Sequence, residues 1–149
     1  RGRLMAEERE STLERFNLLM SEMDAAYHDA ALKMGISDSA MVVLYTVCSM
    51  NGDCLLNDIV RMSGVSKQTI NSALRKLEAE GILYLELSGA RRKRVRLTQK
   101  GQALAKRTVL RLMEIEKDIF QSWSEKERKL YMELTQRYLL MLQDRVKEL

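Results

Sequence analysis

The chain of 149 residues reads as a mainly α-helical domain with one small β-hairpin set between long helices. Three observations lead there. Apolar residues recur every three or four positions over most of the length. There is no proline and there are seven glycines, so little interrupts a long helix. A β-type run, Ile82–Leu87, is followed by Arg94-Val95-Arg96-Leu97, where charge and aliphatic alternate with the two-residue period of a strand. With 46% hydrophobic and 31% charged residues, the chain has enough apolar material for one core.

The elements follow in order. Leu13, Phe16, Met20, Met23, Tyr27, Ala30 and Met34 give a first helix over 7–34, stopped by Gly35. Ser37, Asp38 and Ser39 offer caps for a second helix to about Met50, with Met41, Leu44 and Val47 or Cys48 inward and Asn51-Gly52 closing it. A short third helix spans about Leu56–Ser63, with Ile59 and Met62 inward. After the Ser63-Gly64-Val65 turn, Ser66 caps a fourth helix that reaches Glu80 and ends at Gly81. Its apolar positions Ile70, Ala73, Leu74 and Leu77 share one face. The hairpin comes next, turning at Ser88-Gly89-Ala90. Thr98 caps a fifth helix from Gln99 to about Ser122. Ser124-Glu125-Lys126-Glu127 is a capping box for a sixth, with Leu130, Leu134, Tyr138, Met141 and Leu142 as its stripe. The whole is read as one domain, with 38–98 as its central segment.

Charge is concentrated in the centre. Between Arg61 and Thr98 nine Lys or Arg stand against three acids, a net +6, while the whole chain carries +4. The rest is therefore net negative, at −2. A basic patch confined to one segment suits a surface that meets phosphates.

The third and fourth helices, joined by a glycine-containing turn, make a helix-turn-helix. The fourth has an apolar back and a front of short polar donors and cations: Gln68, Thr69, Asn71, Ser72 and Arg75. Gln and Asn pair with adenine edges, Thr touches a thymine methyl, and Arg forks onto guanine. Its N-terminus at Ser66 and Lys67 suits a phosphate, because free N–H groups and the helix dipole favour an anion. Lys76 adds charge one position beyond Arg75. Arg91, Arg92, Lys93 and Arg94, at or near the hairpin tip, are placed for the backbone or the minor groove. A charge run alone is more often a solvated face. Its position directly after a polar-faced helix favours nucleic acid.

At this point the chain resembles the MarR family of bacterial winged helix-turn-helix regulators. The resemblance covers nearly the whole length. It is most specific in GVSKQTINSALRKLEAEGIL, Gly64–Leu83, and in RLTQKG, Arg96–Gly101. It implies a homodimer built by the first, fifth and sixth helices (7–34 and 99–149), a recognition helix at Ser66–Glu80 and a wing at Leu83–Leu97. It also implies a cleft for small aromatic or phenolic effectors, for which Tyr27, Tyr45 and Cys48 are the candidate lining. One departure stands out. The family's wing usually places an Asp two residues before an Arg, and LSGARRKRVRL has no Asp.

The expected function is that of a DNA-binding transcriptional regulator, acting as a homodimer on a pseudo-palindromic operator. The competing readings are a protein-interaction module and a thiol-based redox sensor. For the latter, Cys48 is expected to be buried and inert, and Cys54 to be the more accessible thiol, with no cations beside either in sequence to favour a thiolate. His28, the one histidine, lacks the partners a metal site needs. No phosphate loop, nucleophile motif or metal-spaced cluster argues for an enzyme or a cofactor. The longest nearly apolar run, Ala40–Cys48, is too short to span a bilayer, and the first 20 residues carry no apolar signal core, so the cytoplasm is the expected compartment.

Overall fold

A computed structural model describes residues 2–89 and 92–149, with side chains described at all of these except 2, 4–10, 88 and 92. The chain divides into two compact units, Arg1–Leu110 and Arg111–Leu149.

The first unit begins with the long helix α1 (Gly2–Met34), then α2 (Asp38–Ser49). The helix starts earlier than the apolar periodicity does, because no strong breaker separates Gly2 from Glu7. Ser37 caps α2, its hydroxyl accepting from the Ala40 N–H at 3.1 Å. His28 of α1 lies 2.7 and 3.0 Å from the two carboxylate oxygens of Asp38, clasping the end of one helix to the start of the next. Strand β1 (Asp53–Leu55) and the short helix α3 (Leu56–Ser63) come next. Gly64 then turns the chain in the left-handed region, at φ 66°, where a side chain would be strained. Helix α4 (Lys67–Ala79), β2 (Leu83–Ser88), β3 (Arg92–Leu97) and α5 (Gln99–Arg107) complete the unit, with the first residues of α6 (Val109–Ser122).

The sheet has three strands, ordered β1-β3-β2 and antiparallel throughout, not the two of a lone hairpin. Asp53-Cys54-Leu55 is too short to show a two-residue period in the sequence, yet it pairs with Arg96, Val95 and Arg94. The core lies under one face of this sheet. Val43, Leu44 and Val47 of α2, Ile59 of α3, Ile70, Leu74 and Leu77 of α4, and Leu83 and Val95 of the wing are buried. Each fully buried aliphatic side chain contributes about 1.5–3 kcal/mol, so this set holds α4 firmly by its back. Met62, expected inward, is instead exposed. An eight-residue helix beside a small core covers few positions, and Ile59 takes the inward one.

The expected fifth helix is interrupted. Thr108, buried at the junction of α5 and α6, donates its hydroxyl to the Leu104 carbonyl at 2.7 Å, and its backbone leaves helical geometry at φ −126°, ψ −100°. Such back-bonding competes with the helical ladder and bends it.

The second unit holds the rest of α6 and the helix α7 (Glu125–Val146). The capping box at the start of α7 is complete: the Glu127 N–H donates to Ser124 Oγ at 3.1 Å, and the Ser124 N–H donates to Glu127 Oε1 at 2.8 Å. Phe120, Trp123 and Tyr131 pack edge to face or tilted around the turn, with centroids 5.2–6.0 Å apart. Arg128 donates to the Phe120 and Trp123 carbonyls and closes the connection.

Candidate nucleic-acid interface

Helix α4 is built to present one face. Ser66 accepts from the Thr69 N–H at 3.2 Å and donates to the Thr69 hydroxyl at 2.9 Å, so its side chain is spent on the cap. At the other end Gly81, at φ 73°, lets the Ile82 N–H reach back to the Leu77 carbonyl at 2.9 Å. Between these stops the apolar residues Ile70, Ala73, Leu74 and Leu77 are buried. Lys67, Gln68, Thr69, Ser72, Arg75 and Lys76 are exposed, and Asn71 is half-buried. Six residues of the types that read base edges or phosphates are therefore exposed on one rigid helix. Arg75 also lies along the helix, its Nε 3.4 Å from the Asn71 carbonyl.

The N-terminus of α5 is fastened to the C-terminus of α4. The Thr98 hydroxyl bonds the Gly81 carbonyl at 2.6 Å, its N–H donates to the Ile82 carbonyl at 3.0 Å, and Lys100 Nζ donates to the Glu80 carbonyl at 2.9 Å. Gly101 fits where no side chain can: a Cβ there would sit 1.9 Å from the Ile82 oxygen. The motif RLTQKG is thus a joint that aligns α4 with the helix that follows the wing.

On the wing, Lys93 is exposed. Arg91 lies outside the described residues, and of Arg92 the backbone alone is described. Arg94 is not free. Its Nη1 lies 2.9 Å from both carboxylate oxygens of Asp53. Arg96 Nε lies 3.5 Å from the same carboxylate and 3.3 Å from Glu86. The Arg94 guanidinium holds the Asp53 carboxyl below the usual carboxylate range.

Residues 34–94 match the family model for MarR regulators. Over that segment the chain is similar to MarR regulators. Structural likeness extends further along the chain. A MarR family regulator from Neisseria meningitidis superposes with a TM-score of 0.77 at 17% identity, covering 93% of this chain and 99% of that one. MepR of S. aureus, in a structure titled as a DNA complex, gives 0.67 at 22% identity, covering 87% and 96%. BpsR of Bordetella bronchiseptica, whose structure is titled for regulation of DNA binding by 6-hydroxynicotinic acid, gives 0.62 at 21%, covering 83% and 98%. At these identities the likenesses show the fold. No curated protein sequence matches the chain.

The wing carries no Asp of its own, and β1 supplies one: Asp53 lies forty-one residues before Arg94 in sequence and beside it in the sheet. The sequence pattern missed it because the contact joins two strands and shows only once β1 is paired.

The two thiols exchange their expected places. Cys54 is buried, 2% exposed, because it is the central residue of β1 and faces the core opposite Val95. Cys48 is half-buried on α2. Burial pushes the Cys54 thiol up to about 11, helped by Asp58 and Asp53, and burial also raises that of Cys48. Tyr27 is exposed on α1, and Tyr45 shares the half-buried side of α2 with Cys48. A cavity of about 130 Å³ opens nearby, lined by Ile36, Ser37, Ala40, Lys76, Leu77 and Leu104 among others, and it takes in none of Tyr27, Tyr45 and Cys48. Among the described residues no single helix is long and apolar enough to cross a membrane.

Proposed function

We propose that this protein is a sequence-specific DNA-binding transcriptional regulator acting as a homodimer. The observation that carries the reading is the split character of α4. Its aliphatic back is fully seated, and its front exposes Lys67, Gln68, Thr69, Ser72, Arg75 and Lys76. A helix of that composition fits a major groove, with base edges read by Gln68, Thr69, Asn71, Ser72 and Arg75. Backbone N–H groups behind Ser66 and the side chains of Lys67 and Lys76 take phosphates. The wing tip, Arg91–Lys93, takes the neighbouring backbone or minor groove.

Dimerisation is supported by apolar surface. Leu13, Phe16, Met20 and Met23 of α1 are exposed, and so, in the other unit, are Leu130, Leu134, Tyr138, Met141 and Leu142 of α7. Regular stripes of this kind are covered by a partner in stable proteins, and a second copy supplies one for each. Release by a small aromatic ligand near Tyr27, Tyr45 and Cys48 belongs to the same reading, supported by the ligand named for BpsR. A regulator of this kind works in the cytoplasm.

The test is a salt series. Phosphate neutralisation makes log affinity fall linearly with log salt, by about 0.9 for each phosphate contacted. A protein that binds duplex DNA weakly and without a salt slope is not this regulator, and the winged segment would then be a protein-docking module.

A further inference from the structure

On the outer face of the wing sheet, among the described side chains, two arginines, Arg94 and Arg96, are paired with two acids, Asp53 and Glu86. The strand register explains the grouping: Asp53 sits opposite Arg96, Leu55 opposite Arg94, and Glu86 opposite Arg94 from the other side. Side chains opposite or diagonal on one face of an antiparallel sheet lie within reach of each other. Asp53 therefore spans both arginines, and Tyr84 of β2 also stands opposite Arg96. Two of the nine basic residues between Arg61 and Thr98 are thus cancelled.

Charge at such a surface has a particular effect. Attraction to the phosphate backbone is independent of sequence and supplies nearly all non-specific binding. Specificity is the difference between two affinities, and an acid that withholds cations from the backbone widens it. We propose that Asp53 is a specificity-determining residue of the DNA interface: it holds Arg94, and with Glu86 holds Arg96, on the sheet, so that phosphate contact is confined to the wing tip and α4. This rests on the DNA-binding reading above, and it takes Arg94 out of the phosphate-gripping set.

The experiment measures affinity across a salt series for the full chain on two duplexes. One carries the sequence it selects, and the other is a scrambled version. Wild type is compared with Asp53→Asn, Arg94→Gln, the double variant and Lys93→Ala. Asp53→Asn is expected to tighten the scrambled duplex several-fold, to lower the ratio between the duplexes, and to steepen the slope by about 0.9 for each released arginine that finds a phosphate. Arg94→Gln alone leaves the slope unchanged, and in the double variant the Arg94 share of the gain is lost. Lys93→Ala, at the tip, flattens the slope. The proposal is overturned if Arg94→Gln flattens the slope as Lys93→Ala does, which would make Arg94 a direct phosphate ligand. It is equally overturned if Asp53→Asn weakens both duplexes alike with the slope unchanged, the mark of a purely structural brace. Should Asp53→Asn fail to fold by circular dichroism, the Arg94→Gln slope decides. A wild type without salt-dependent binding removes the DNA-binding reading, and this proposal with it.

Discussion

At the scale of single residues, the arginines divide by what they can touch. Arg75 stands exposed on α4 among groups suited to base edges. We expect Arg75→Ala to cost on the order of 1–3 kcal/mol on the preferred sequence and to relax one position of the site. Arg92→Ala should instead weaken binding evenly across sequences and flatten the salt slope. Binding curves on cognate and scrambled duplexes check both, and equal losses on all sequences for Arg75→Ala would remove it as a base reader. Gly101 offers a test of the fold. A methyl there collides with the backbone of Ile82, which cannot swing aside. Gly101→Ala should therefore destabilise by about 3 kcal/mol, read by denaturant unfolding, and a change near zero would mean the α4–α5 joint is loose. The thiols carry raised pKa values, so little thiolate forms at neutral pH. DNA binding should be insensitive to mild peroxide, and an alkylating reagent should label Cys48 before Cys54. Reversible loss of binding that Cys48→Ser abolishes would make the protein a redox sensor.

At the scale of elements, the sequence was most legible where a local rule sufficed. The buried face of α4 is the one its periodicity gives, and Ser66, Thr98 and Ser124 cap the helices they precede. What escaped was non-local. Strand β1 has three residues and exists only through its pairing with β3, so Cys54 and Asp53 could not be placed from spacing. The break at Thr108 arises from one hydroxyl bond to a carbonyl four residues back, which a helical pattern of apolar residues does not record. The site was legible as a set of residue types on α4, whereas the pairing of Arg94 needed the sheet. The cap of α7 gives a pH test. Glu127 has its pKa lowered from 4.5 by the Ser124 backbone and hydroxyl. A depressed carboxyl stabilises above its unfolded value, and that contribution is lost as pH falls through the folded value. The first turn of α7 should loosen below about pH 4.5, seen as lower protection of its amides once the intrinsic pH dependence of exchange is divided out, and Glu127→Gln should remove this loss. Protection that is unchanged between pH 6 and about 3 would show that the capping box contributes nothing.

At the scale of the whole molecule, we propose that each chain brings one DNA-reading helix and that the helices with exposed apolar stripes pair with a second copy. Two copies related by a two-fold axis present two recognition helices, so the preferred DNA must share that symmetry. The most direct measurement is selection of bound sequences from a random pool of duplexes, at a salt concentration where non-specific binding is weak. We expect an inverted repeat whose half-site centres lie about one helical turn apart, roughly 10 base pairs. A pool that shows no enrichment after repeated rounds, or that enriches one half-site without its symmetric partner, would contradict it.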